Sequence, residues 1–349
     1  MSPIPFLAVK GSAHERGVAH GRRFAREIAD NIETYLRRFA ASGLDRAESF
    51  VEAERWLGAI ASANPAYAEE MRGIARGAGQ REESVALLNA RYELAFALFG
   101  KEAVREAHVR ELTEAPADGC TTFGLLPQVT ADGHAWLGQN WDWLEGVHGR
   151  TFVLRVERAD KPAFVCLTEA GIAGGKMGIN ECGIGLVENG LASSADGRHP
   201  YCKPFHVRCR EVLDAETLDQ AMLAPFEAPR TCSANFMLGA SLKSQSCRLE
   251  CAWTRRSRWR GGDAVECVSL AERAPTGLNP KRHVFVAAGR AVGDAHDARI
   301  EIDQHGADGH GPPVGRLLGI GMAANAIGRI GDKRAKITFG TLQPFLRST

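Results

Sequence analysis

The chain has 349 residues, enough for one large domain or two ordinary ones, and 44% of them are hydrophobic against 24% charged. Its 43 basic and 42 acidic residues leave a formal net charge of only +1, which argues against a nucleic-acid binder that works through bulk charge. No apolar run approaches the ~18 residues of a membrane span, and the opening MSPIPFLAVKGSAHERG has neither a basic leader nor a long apolar run.

The elements then follow in chain order. Residues 14–42 place Val18, Phe24, Ile28, Ile32, Tyr35, Leu36 and Phe39 at helical spacing. Residues 47–60 and 65–77 read as further helices, the second starting on Pro65 and ending in Gly77 and Gly79, which suit a C-cap. Residues 83–107 add one or two more helices. After Pro116 the period changes. TTFGLL, HAWLGQNW, TFVLRVER and AFVCLTEA are short runs rich in β-branched and aromatic residues, with turns at 131–133 and 159–162. GKMGINECGIGLVENG reads as strand, turn, strand. A helix is expected at 204–224 and a strand at 232–240. This order predicts an α+β fold of layered sheets and helices. From about residue 254 the character shifts: TRRSRWR is basic, DQHGADGHGPPVGR is rich in Gly and His, and apolar periodicity is scarce.

Nine cysteines, an odd number without disulfide-framework spacing, argue for reduced thiols and a cytoplasmic setting. Cys247 and Cys251 form the nearest pair and have no second pair beside them, so no metal site is expected. One thiol stands apart by its neighbours, in DGCTT at 118–122. If the peptide bond before Cys120 is cut, the new α-amine has an ordinary pKa of about 7.7–8.0 and can take the thiol proton itself. Gly119, with no Cβ, is the residue such self-cleavage favours, because the thiol must approach its carbonyl closely. Taken alone, Cys120 fits a small buried hydrophobe better than a nucleophile.

The wider pattern resembles the acyl-coenzyme A:6-aminopenicillanic acid acyltransferase family, peptidase family C45, of the N-terminal nucleophile hydrolases. The blocks that carry the resemblance are GSAHERGVAHG at 11–21, MRGIARGAG at 71–79, LNARYEL at 88–94, DGCTTF followed by GQNWDW, LTEAGIAGGKMGINECGIGLVENGL at 167–191 and SANFMLG at 233–239. Together they cover roughly residues 7–240. The resemblance implies a four-layer αββα fold, two stacked antiparallel sheets between helical layers, formed by residues 1–349 as one domain. It implies a precursor that cuts itself between Gly119 and Cys120 into a helical segment, 1–119, and a catalytic segment, 120–349, which stay associated.

Residue by residue, Cys120 falls on the nucleophile and Asp142 on an acidic residue that could orient the α-amine. Asn235 falls on the amide donor to the tetrahedral oxyanion. Thr121, Thr122, Asn140 and Arg91 are supporting candidates, Arg91 as the partner of a carboxylate within the site. The implied substrate is a small linear amide or acyl thioester. No cofactor, metal, nucleic acid or membrane is implied as a partner, and association into homo-oligomers stays open. Residues 254–349 depart from the family: APTGLNPKRH at 274–283 does not reproduce its next block, and an expected arginine has no counterpart. That tail is read as strongly diverged or as the product of a reading-frame change.

Three rival readings stand beside this one. A thiol hydrolase would use a separate base, His134 or His206. A binding protein would use the arginines and Trp259 of TRRSRWR, with catalysis lost through the tail. GIGMAANAIG at 319–328 is glycine-spaced but lacks the G-x-G-x-x-G order of a dinucleotide site.

Overall fold

The computed structural model describes residues 4–95, 121–125, 135–141, 143–190, 196–241, 247–252, 284–286, 325–330 and 337–340. The N-terminal part is helical: α1 (Ala13–Arg23), α2 (Ala25–Ala41), α3 (Arg46–Ala63), α4 (Pro65–Ala78) and α5 (Glu82–Asn89) follow one edge strand, β1 (Phe6–Lys10). Three of these five starts have a side-chain cap. Ser12 and Glu15 form a capping box for α1, and Asp45 and Glu48 form one for α3. Asn64 caps α4 just before Pro65. Gly79 ends α4 at φ 65°, a left-handed conformation that suits glycine.

The expected helix over 14–42 is two helices. The period runs on through Phe24, but that residue leaves helical geometry at φ −125° and packs its ring 4.1 Å from that of Phe152. Gly77 is not a cap either. It lies inside α4, where α1 crosses with almost no space. A Cβ on Gly17 would sit 2.0 Å from the Glu70 carbonyl oxygen, and one on Gly21 would sit 2.2 Å from that of Ile74. From the other side, Cβ atoms on Gly73 and Gly77 would meet the carbonyls of His14 and Val18 at 2.3 and 2.4 Å. Two glycine pairs at four-residue spacing thus let two helix backbones touch. Beside this crossing Glu70 is buried and bonds Arg16 at 2.8 Å and Arg210 at 3.0 Å. Burial alone would push its carboxyl up, but the two guanidinium groups outweigh that and hold it low.

The sheets follow. One has seven strands in the order β1-β4-β5-β6-β7-β8-β9, where β4 is Thr151–Glu157, β5 Phe164–Glu169, β6 Met177–Asn180, β7 Ile184–Gly190, β8 Ala234–Ser241 and β9 Cys247–Ala252. The other has five, β10-β2-β3-β11-β12, where β2 is Thr121–Leu125, β3 Ala135–Asn140, β10 Val284–Val286, β11 Asn325–Ile330 and β12 Ile337–Gly340. Most neighbours are antiparallel, as expected. Two pairs correct that expectation: β1 lies parallel to β4 and β10 parallel to β2. A strand that returns to the sheet after long intervening chain is free to enter in either direction. The expected helix at 204–224 is also two, α6 (Phe205–Leu213) and α7 (Leu218–Phe226), because Thr217 and Gln220 form a capping box that restarts the chain. Among the described residues no helix is long and apolar enough to cross a membrane.

The loop from Ala170 to Gly175 is fastened from the helical side. His20 Nε2 accepts from the Gly171 amide at 3.0 Å, and Asn31 donates to the Ala170 carbonyl at 2.9 Å. Asn89 donates to the Gly171 carbonyl at 2.8 Å and accepts from the Ala173 amide at 3.0 Å. Tyr67 accepts from the Gly174 amide at 2.9 Å. The loop's two ends are thereby fixed, and those ends carry Glu169 and Lys176.

Two predictions follow from this packing. Gly21→Ala should destabilise the chain by roughly 1–3 kcal/mol or more, since the colliding atoms are backbone and no side chain can yield. Gly58→Ala, in α3 with open space around it, should gain up to about 1 kcal/mol; urea midpoints read both. The second concerns His20. Burial drives its pKa down to about 4, with Glu70 raising it and Arg210 lowering it further, so the folded state takes up its proton later than the unfolded state. The stability it permits is fully present above pH 6.5 and is lost as the pH falls towards 4. Wild type should therefore lose up to ~3 kcal/mol relative to His20→Gln across that window. Glu93, which burial pushes up to about 7, titrates in the opposite sense and cancels in the difference.

Candidate active site

Gly119, Cys120 and Asp142 lie outside the described residues, as do His134, the TRRSRWR segment and residues 319–324 of GIGMAANAIG, whose last four residues belong to β11. The chain directly after Cys120 and on both sides of Asp142 is described. Thr121, joined to Cys120, pairs with Asn140 across β2 and β3, and Thr122 pairs with Gln139. Asp142 stands in the sequence between two described tryptophans, Trp141 and Trp143.

The seven-stranded sheet supplies the opposing wall. Asn189 on β7 and Asn235 on β8 are directly opposite each other in the antiparallel register, so their side chains share one face. Asn189 Nδ2 donates to Thr122 Oγ1 at 3.0 Å, which turns that face towards β2. All three side chains are buried. Two amide atoms there have no partner among the described residues: Asn235 Nδ2, a donor, and Asn189 Oδ1, an acceptor. A buried unpaired amide costs roughly 1–3 kcal/mol, so two side by side demand an explanation. The segment before Asn235 is fixed in turn. Ser233 gives its amide and hydroxyl to Asp196 at 2.9 and 2.8 Å, and its carbonyl accepts from Tyr92 at 2.7 Å.

Gln139, two residues before Trp141 on β3, binds the main chain of Glu188 with both amide atoms. Its Oε1 accepts from the Glu188 amide at 2.9 Å, and its Nε2 donates to the Glu188 carbonyl. The register of β6 on β7 pairs Gly178 with Leu186 and ends there. The amide side chain supplies what a further strand residue would have given.

A set of buried charges lies at the same end of the sheet. Arg91 ion-pairs with Glu169. Tyr35 donates to the other oxygen of Glu169 at 2.5 Å, and Trp143 donates to Tyr35 at 2.6 Å. Lys176 lies 3.6 Å from Glu169 and 3.8 Å from Glu188. Its ammonium sits 3.6 Å from the centre of the Trp141 ring, while the Arg91 guanidinium sits 4.8 Å from that of Trp143. Burial pushes the Glu188 carboxyl up, Lys176 and Arg91 pull it back, Glu169 adds to the rise, and the net direction is upward.

His206, the base of the rival reading, is fully buried in the first turn of α6, and neither ring nitrogen has a partner among the described residues. Burial, then Arg91 and Lys176, hold it neutral well below the ordinary range. Three of the described cysteines are equally unsuited to form thiolate. Burial pushes the Cys166 thiol up to about 12 and those of Cys209 and Cys232 well above their ordinary value. Among the described residues no cluster of His, Cys, Asp and Glu could hold a metal.

Sequence reasoning picked out Asn235, Thr122 and Arg91, all three among the described residues. It passed over Asn189, Gln139, Glu169, Lys176 and Glu188, although four of these five lie in the block at 167–191. The available signal was a polar residue inside an apolar strand, which must find a buried partner.

The comparisons with known proteins agree with the resemblance read from the sequence. The family model described as acyl-coenzyme A:6-aminopenicillanic acid acyl-transferase matches residues 129–253. That range holds Asn140, Asp142 and Asn235, starts after Cys120, and ends where the composition shifts. The 40 kDa form of acyl-coenzyme A:6-aminopenicillanic-acid-acyltransferase from Emericella nidulans is 30% identical over 224 residues, 62% of this chain and 54% of the relative. The chain thus spans about half the length of the curated relative it matches.

Proposed function

We propose that the chain is a self-processing cysteine amidohydrolase or acyltransferase with Cys120 as its nucleophile. In this reading one domain stacks its two sheets between helical layers. The observation that carries it is the buried Nδ2 of Asn235, without a partner among the described residues, opposite Asn189, which bonds Thr122 on β2, the strand that Cys120 precedes. An uncharged amide donor at such a place suits the developing negative charge of acyl transfer.

The chemistry runs in two stages. In the precursor the Cys120 thiol attacks the Gly119 carbonyl, the peptide nitrogen leaves as the new α-amine, and a thioester joins the two segments. Water hydrolyses that thioester, releasing the Gly119 carboxylate and the free thiol. In the mature chain the α-amine takes the thiol proton, and Asp142 orients that amine. The thiolate attacks the acyl carbon of a linear amide or acyl thioester, and Asn235 donates to the oxyanion. Collapse expels the amine or thiol, which takes the proton, and leaves the acyl group on Cys120. Water or a second amine then accepts it. The relative's name supports acyl transfer as a class, and no particular acyl group or amine is part of the proposal. The high thiol pKa values of Cys166, Cys209 and Cys232 support a nucleophile elsewhere in the chain.

Intact mass of the purified protein tests this. Wild type should yield residues 1–119 and 120–349 as separate masses, and Cys120→Ala should stay whole. Asn235→Ala should cut and turn over about 10²–10³ times more slowly while remaining folded. An active wild-type protein that never splits would defeat the proposal.

A further inference from the structure

The end of β3 is gripped twice, at neighbouring points of the other sheet. Gln139 and Trp141 are two residues apart, so an extended chain turns them to the same side. Gln139 binds the main chain of Glu188. The Trp141 ring meets the ammonium of Lys176, which lies 3.8 Å from the carboxylate of that same Glu188. Both grips therefore close on Glu188, one on its main chain and the other beside its carboxylate.

The chemistry of the grip is specific. Lys176 and Trp141 are both buried, so the ammonium meets the ring without intervening solvent, where a cation–π contact is strongest. Glu169 and Glu188 compensate the charge from 3.6 and 3.8 Å, longer than a charge-assisted hydrogen bond. The carboxylates make the burial of the cation tolerable, and the ring adds a directional contact. A methionine would fill the same space without the charge.

We infer that Lys176 is a positioning residue for the proposed reaction: its ammonium fixes Trp141 and thereby the end of β3 beside Thr121. This rests on the acyl-transfer reading above. Lys176 touches no reacting atom in this account. It acts through Trp141, the residue between Asn140 and Asp142.

A double-mutant cycle on the full chain tests it, read in both self-cleavage rate and urea unfolding. Lys176→Met and Trp141→Leu should each slow cleavage at least tenfold, and the double variant should be little slower than either single. Lys176→Arg and Trp141→Phe, which keep a cation and a π face, should recover most of the rate. For turnover, kcat should fall with KM within about threefold. In urea the two changes should couple by about tenfold in the unfolding equilibrium, from a desolvated cation–π contact. Losses that multiply independently, or a folded Lys176→Met protein cleaving at the wild-type rate, would overturn the inference. If Lys176→Met does not fold, Trp141→Phe against Trp141→Leu decides it: equal rates overturn it, and a fast Phe with a slow Leu upholds it. A wild type that couples in urea but neither splits nor turns over would instead defeat the functional reading, and the positioning role with it.

Discussion

One side chain sets the relation between the two sheets. Gln139 places both ends of its amide on the main chain of Glu188, just where β6 has run out and β7 would otherwise present an unpaired amide and carbonyl. Leaving those groups buried and unpaired would cost roughly 1–3 kcal/mol each. The arrangement also fixes register. A slip of one residue would turn Gln139 away from the sheet and Trp141 with it. Because Thr122 pairs with Gln139, the position of β2 follows from the same contact, and so does the bond from Asn189 to Thr122.

The two faces of the seven-stranded sheet carry different electrostatics from residues adjacent in the chain. Glu188 joins the charges of Lys176, Glu169 and Arg91, while Asn189, the next residue along β7, turns a neutral amide towards β2. Strand alternation alone separates them. The charges are buried, so each needs its partner. The helical segment supplies much of that order. Arg91 and Tyr35 come from it, and Asn89, Tyr67 and His20 hold the loop that ends in Lys176. A segment bonded this closely to the sheets fits the reading in which both pieces of a cut chain remain together.

The sequence was legible wherever the cause of structure was local. Capping residues and 3.6-residue spacing placed the helices, and Asn-Glu-Cys-Gly placed the turn between β6 and β7. What escaped was what depends on distant partners. The break at Phe24 serves Phe152, and nothing in the periodicity around Phe24 announces it. Gly77 looked like a cap because the crossing of α1 over α4 is invisible from one helix alone. The parallel entry of β1 beside β4 has no local signature either. In the candidate site Asn235 was legible through the family blocks, whereas Asn189 and Gln139 needed the strand register to show what they face.

The account stands or falls on the identity of the nucleophile. Rapid acid quench during turnover of an acyl arylamide, followed by peptide mapping by mass, reads it directly. The account predicts the acyl mass on the fragment that begins at Cys120, attached through the thiol, while its α-amine stays free. Acyl label on any other cysteine, or full turnover with Cys120 replaced by alanine, would contradict it.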